Sequence, residues 1–340
     1  MDWKKGFTAT YYLTFVDINT WKDTQKIDIT GGSIKRELTG LRTSADVDCV
    51  NYGETEERLV RVWLDTTQKG FEEDSHTPLF TGYATYPDRK NNGNIETETL
   101  QCYSVLLPAS DIYLPRGWYA PIGIDAKDLI RQLLYPTKAS VDIYDITKKK
   151  GSVLSRSVIA ESGETNLSMV EKLLNIMNWR MWIDGFGSIK ITEYDSKPVG
   201  TFDSVINDII EPSLTISHDW FDCPNVFRAI MDEQSAIAYD RDSDTPMSIN
   251  NRGREVWYEE ENVDLNTGES LEEYAKRRLK ELQRVSTTIT YDRRFNPDIY
   301  PTDVVRLSYP AQGIKGTFMV VSQTITLGFN AKTSEEVVEV

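Results

Sequence analysis

The sequence predicts a mainly β protein with a small helical α+β unit in its middle, and three features carry that expectation. Apolar residues alternate with period two through roughly the first hundred positions, the period lengthens to that of a helix after Pro115-Arg116-Gly117, and strands return from about residue 199 with one helix among them. At 340 residues the chain exceeds what one core usually supports and suits two or three domains.

The first strand sets Tyr11, Leu13 and Phe15 on one face and Tyr12, Thr14 and Val16 on the other. Further β-branched and aromatic runs follow at Val60–Leu64, Leu79–Tyr83 and Thr97–Tyr103, separated by polar turns such as Lys90-Asn91-Asn92-Gly93-Asn94. Residues 1–116 therefore form the first, all-β domain. Beyond it, Asp125 is placed to cap a helix carrying Ala126, Leu129, Ile130, Leu133 and Leu134, which Pro136 ends. A second helix starts near Asn166 and puts Leu167, Val170, Leu173, Leu174 and Met177 on one side. Trp179–Ile183 and Ser188–Thr192 then flank Asp184-Gly185-Phe186-Gly187 as a hairpin, completing a compact unit over 117–198. The last domain, 199–340, holds a polar loop from Asp240 to Arg254 and a helix over 271–283, for which Ser270 and Glu273 have capping-box spacing. No fixed-period repeat is visible, so any internal duplication is one of structure alone.

Composition narrows the function. With 39% hydrophobic residues and 11% aromatic, there is ample material for cores, and no window supplies the roughly 18 apolar residues of a membrane span. The opening Met1-Asp2-Trp3-Lys4-Lys5-Gly6 leads into a strand instead of a signal peptide, which points to synthesis and folding in the cytoplasm. Cys49, Cys102 and Cys223 fit neither a disulfide framework nor a metal motif and read as small buried hydrophobes. The net charge of −15 opposes tight nucleic-acid binding.

Chemistry is sparse. A nucleophilic triad needs a histidine, and the two present, His76 and His218, lie in different domains, so no catalytic residue is assigned. Asp240, Asp242 and Asp244 alternate like the start of a calcium loop, but Thr245 stands where glycine is needed and Asn251 where the bidentate glutamate belongs; the loop reads as solvated and no metal is assigned. Gly185 and Gly187 serve a turn and not a dinucleotide, so no cofactor is expected, and Lys148-Lys149-Lys150 reads as a solvated basic run. The rings of Trp118 and Tyr119 are expected to bury at a domain boundary. Paired carboxylates for glycoside hydrolysis cannot be found or dismissed by counting among 53 acidic residues, which sustains an alternative function as a glycan-binding or cell-wall-degrading module.

The order of these parts resembles the hub proteins of phage tails, baseplates and phage-like particles. The resemblance rests on the helix with Glu273-Tyr274-Ala275-Lys276-Arg277-Arg278-Leu279, the strand Val285–Tyr291, Asn296-Pro297, the run Thr302-Asp303-Val304-Val305-Arg306-Leu307, and Gly313-Ile314-Lys315-Gly316 leading into Thr317–Val320. Leu79–Tyr83 and the block from Gly163 to Ile191 agree with it, while Thr302 stands where the family has glycine. It implies two tube-like β-barrel domains flanking the middle unit, and a virion-tail homotrimer whose ring joins the tail tube or distal tail protein to a spike, tip or tape-measure protein and lets DNA pass. The role it implies is structural, not enzymatic.

Overall fold

The computed structural model describes the chain except for residues 1, 2, 4, 51, 54–55, 71–74, 86–87, 93–94, 145–150, 205–208, 219, 264, 266–267, 285–286 and 329–331. As the periodicity predicts, the fold is mainly β. Its opening strand, β1 (Thr8–Val16), turns Tyr11, Leu13 and Phe15 into one core, while Val16 on the opposite face enters a second. Both faces are covered there, so the simple in-out alternation stops at the strand's end.

β1 is followed by β2 (Asp23–Glu37), β3 (Thr43–Cys49), β4 (Arg58–Thr67), β5 (Ser75–Ala84), β6 (Asp88–Asn92) and β7 (Ile95–Ser104). Pairing runs β1-β4-β5-β7-β3-β2 and returns to β1, so six strands close a barrel and leave no open edge among those pairs. Leu13, Val47, Val62, Leu64 and Leu100 fill it, all fully buried. Of the turn expected over residues 90–94, Lys90, Asn91 and Asn92 belong to β6, and residues 93–94 lie outside the described residues.

The middle of the chain contributes α1 (Leu107–Asp111), β8 (Tyr119–Ala120), α2 (Ala126–Leu134), β9 (Val141–Ile143), β10 (Val158–Ile159), α3 (Asn166–Met177), β11 (Trp179–Ile183) and β12 (Ile189–Glu193). Asp125 caps α2 by accepting from the Lys127 amide. The cap of α3 sits one residue earlier than expected, at Thr165, which exchanges hydrogen bonds with Ser168 in a capping box. Leu129, Ile130, Leu133 and Leu134 of α2 pack on Leu167, Val170, Leu173 and Leu174 of α3, in a core that also takes Val16, Leu59 and Tyr83 from the first barrel.

The rest comprises β13 (Pro198–Asp203), β14 (Ile209–His218), β15 (Val226–Met231), β16 (Gln234–Tyr239), α4 (Ile249–Arg252), β17 (Trp257–Glu261), α5 (Leu271–Arg284), β18 (Thr287–Arg294), β19 (Val304–Tyr309), β20 (Ile314–Leu327) and β21 (Lys332–Glu339). Six of these strands pair in the order β13-β19-β20-β21-β18-β14. Counted along each barrel's own strands, both barrels have the same order: first, fourth, fifth, sixth, third, second. One strand differs in direction, since β13 lies parallel to β19 whereas β1 is antiparallel to β4. β13 and β14 consequently run the same way. Parallel neighbours need a long crossover, and only a short link separates Asp203 from Ile209, so no β13–β14 pairing closes the second barrel among the described residues.

Between β14 and β18 lies a unit that the sequence does not separate from the last barrel. The sheet β16-β15-β17 is covered on one side by α5, and Phe227, Ala229, Ala238, Tyr274, Ala275 and Leu279 form its own core. The predicted helix over 271–283 is α5, and its capping box is present, with the Ser270 amide donating to Glu273 (2.9 Å) and the Glu273 amide to Ser270 (3.2 Å). Because this core is separate from the barrels, Leu279→Asp should unfold the insert alone, since a buried unpaired charge costs several kcal/mol. Limited proteolysis should then cut within 220–284 while fragments spanning both barrels persist; protection of the insert equal to that of the unmodified chain would place Leu279 at the surface.

Candidate functional site: the joint between the barrels

The residues that hold the molecule together converge where the barrels meet. β2 and β20, 15 and 14 residues long, are each too long for one barrel. The first part of β2 pairs with β1, and Gly32–Glu37 then crosses to pair with Leu327–Ser322 of β20, so both barrels share one 13-stranded sheet. The crossing needs a glycine: Gly32 has φ +134°, and a Cβ there would stand 2.2 Å from the Asp46 carbonyl oxygen. Next along, Ile34 and Ile325 face each other and are 0% and 1% exposed.

Arg36 seals this joint at 2% exposure. Its guanidinium donates to the carbonyls of Pro297 (3.2 Å), Ile299 (3.3 Å) and Leu79 (3.2 Å) and lies over the Tyr300 ring, tying carbonyls of both barrels to one side chain. Burial draws its pKa down from the usual arginine value. In the same loop, Phe295 enters the first barrel's core, edge-on to Trp3. Deeper in the second barrel, Glu335 accepts from Arg293 at 2.9 and 3.0 Å, from Gln323 at 2.6 Å and from the Tyr291 hydroxyl, and all four residues are 1% exposed or less. Burial alone would raise the Glu335 pKa, but pairing with Arg293 and the added donors hold it below the ordinary glutamate value. Gln323 stands opposite Arg36 in the β2–β20 register, which links this polar cluster to the joint.

The middle unit grips both barrels. Arg42 of the first barrel pairs with Glu171 of α3 (2.6 Å) and donates to the Met181 carbonyl of β11 (2.8 Å). The β11–β12 turn lies against the same barrel: Thr81 donates to the Gly185 carbonyl (2.8 Å), and Arg61, paired with Asp23, reaches the Phe186 carbonyl (3.3 Å). On the other side, Arg180 donates to Asp303 (2.9 Å) and to the Thr302 carbonyl (3.1 Å) of the second barrel. Thr302 takes up the left-handed conformation that glycine would favour, at φ 81°, held by its own amide bond to Val320 and by Arg180.

The remaining sequence candidates are scattered. His76 pairs with Asp65 across β4 and β5 (2.7 Å), while His218 packs on Trp220 and shares a hydrogen bond with the Thr287 hydroxyl (3.1 Å), which also accepts from the Trp220 indole (3.0 Å). Asp240 and Asp242 each accept from the amide two residues on, and Asn251 braces the loop through the Ser243 and Thr245 carbonyls; no cluster of three or more metal-ligating side chains occurs among the described residues. Lys148 to Lys150 lie outside the described residues. Cys49, Cys102 and Cys223 are buried thiols, as the sequence suggests. Trp118 packs on the middle core, but Tyr119 does not bury: the alternation of β8 turns Ala120 inward and leaves Tyr119 57% exposed. A cleft of about 520 Å³ between the insert, α3 and the second barrel contains Arg277 and Arg278, already paired with Glu269, Glu281 and Glu260.

Arg36, Arg293 and Glu335 escaped the sequence reading. Their one signal is parity: Arg36 shares the face of the apolar Ile34, and Arg293 that of Ile289 and Tyr291.

Removing Arg293 strands the Glu335 carboxylate, so Arg293→Ala should lower stability by about 3–5 kcal/mol in denaturant unfolding. Because the folded pKa of Glu335 lies below its unfolded value, its contribution is full above about pH 4.3 and fades as pH falls through the folded pKa. Glu335→Gln should flatten that acid limb in a plot of melting temperature against pH, and an unchanged limb would exclude Glu335 as its source. Gly185→Ala should loosen the middle unit, since a Cβ at Gly185 would stand 1.8 Å from the Pro78 carbonyl oxygen; a melting temperature within a degree of the parent would contradict that close approach.

No protein-family model matches the sequence, and no curated protein is similar to it in sequence. Solved structures do share its fold. The tail protein from Neisseria meningitidis MC58 aligns with a TM-score of 0.74 at 15% identity, over 97% of this chain and 96% of that one. The 43 kDa tail protein of prophage MuSo2 from Shewanella oneidensis gives 0.68 at 15% identity over 98% of both chains. An E. coli type VI secretion system component, itself structurally similar to the T4 bacteriophage tail proteins gp27 and gp5, gives 0.54 at 8% identity over 92% of this chain and 74% of that one. At such identities the likeness is one of architecture: over nearly its whole length, this chain has the fold of phage tail proteins.

Proposed function

We propose that the chain is a structural, non-enzymatic hub subunit of a phage or phage-like tail, assembling as a homotrimeric ring that joins the tail tube to the tip or spike and leaves a passage for DNA. The observation that carries this reading is the duplication: two barrels with one strand order, fused edge to edge by β2 and β20. Three such chains present six similar barrels around an axis, a geometry suited to continuing a tube built from single-barrel subunits. Residues placed for cohesion, above all Arg36, Arg293 and Glu335, agree with a part whose work is to transmit position.

Charge fits a conduit. A wall that neutralised phosphates would retain DNA with salt-dependent affinity, whereas a chain at −15 favours free passage. Screening over about 8 Å at physiological salt confines the repulsion to the wall's vicinity. The expected partners are a tube or distal tail protein on one face and a tip, spike or tape-measure protein on the other, in the virion tail.

Negative-stain class averages of the assembled protein should show a closed ring with six lobes around a central hole. A monomer at every concentration, with or without tail partners, would contradict the ring.

A further inference from the structure

The joint that binds the barrels within one chain occurs a second time in the molecule, with its partner missing. In the joint, β2 is the second strand of the first barrel and β20 the fifth of the second. The same strand order gives the molecule one more such pair of positions: β14, second in the second barrel, and the β5–β6 strand, fifth in the first. β5 and β6 share this position, since Gly82–Ala84 and Asp88–Asn92 pair in turn with β7. β20 is held on one edge by β19 over its first half and by β2 over its second. β5 is held by β4 on the corresponding edge, while β6 pairs with β7 alone among the described residues.

β14 matches β2 in the same way. Among the described residues the β2–β3 ladder runs to Arg36 opposite Thr43 and the β14–β18 ladder to His218 opposite Thr287, and matched at these positions Leu214–His218 align with Gly32–Arg36. Over that stretch β2 carries β20 on its outer edge. The outer edge of β14 carries no strand among the described residues. Exposure follows: Ile34 is 0% exposed, and its counterpart Ile216 is 40% exposed.

We infer that β14 of one chain adds to β6 of a second copy, antiparallel, repeating the β2–β20 joint between subunits. This rests on the ring-forming reading above and names the surface that closes the ring. Main-chain hydrogen bonds along the open edge supply the attraction, and burial of Ile216 fixes the register. The contact joins unlike surfaces head to tail, the class of interface that generates rings.

Analytical ultracentrifugation of the full chain and its edge variants tests this. Ile216→Asp should abolish the oligomer with an unchanged far-UV circular dichroism spectrum, while Ile216→Val keeps it. Successive amides along a strand point to opposite edges, so one of Arg89→Pro and Lys90→Pro removes an outward N–H of β6 and should also block assembly. Mixed in equal amounts, Ile216→Asp and that β6 variant should form a dimer and nothing larger, because between them one intact β14 edge and one intact β6 edge remain. In the unmodified protein, the amides of Thr215, Ile216 and Ser217 should gain hydrogen-exchange protection with concentration. An Ile216→Asp chain that assembles like its parent, or amides that stay unprotected in the oligomer, would overturn the inference and leave the ring standing. A parent chain that never assembles would remove both.

Discussion

Everything in this molecule hangs on a backbone ladder between segments almost three hundred residues apart, Gly32–Glu37 of β2 and Leu327–Ser322 of β20. Each strand serves its own barrel and then continues into the other, so neither barrel can rotate against its neighbour without breaking main-chain hydrogen bonds in a buried setting. The buried groups around the ladder make that costly: Ile34 and Ile325 exclude water, and Arg36 gathers carbonyls from both sides. A lone buried guanidinium is tolerated here because carbonyls of both barrels accept from it, and moving the barrels apart would leave a buried charge without those partners.

The middle unit adds a second constraint. Arg42 and Arg61 hold it to the first barrel, and Arg180 holds it to the second at the strained Thr302. A β-branched residue in the left-handed region is disfavoured by its own sterics, and here it coincides with the place where two units touch. The molecule is thus braced twice, once by strands and once by arginines reaching across boundaries, which suits a part that transmits position more than one that performs chemistry.

Local features were the most legible. The period-two face of Tyr11, Leu13 and Phe15, the Asp125 cap of α2 and the Ser270–Glu273 box of α5 all depend on neighbours a few residues away, and the sequence displays them directly. Strand order does not show in this way, because Gly32 meets Leu327 through folding of the whole chain, and so the shared order of the two barrels was invisible. The insert between β14 and β18 was likewise merged with the last barrel, since its strands alternate like any others and only its separate core distinguishes it. Tyr119 was misplaced because a two-residue strand offers too little pattern to tell its faces apart. Arg36, Arg293 and Glu335 drew no assignment from the sequence; what hid them is that their faces are covered by strands from far along the chain.

The fused pair of barrels is tested most directly by native-state hydrogen exchange at the joint. Amide protection at Ile34, Lys35 and Arg36, and at Thr324 and Ile325 opposite them, should equal that of barrel-interior residues such as Val62, with all of them exchanging only through global unfolding. If the joint amides exchange orders of magnitude faster than Val62, the barrels are independent bodies in passing contact and the account fails.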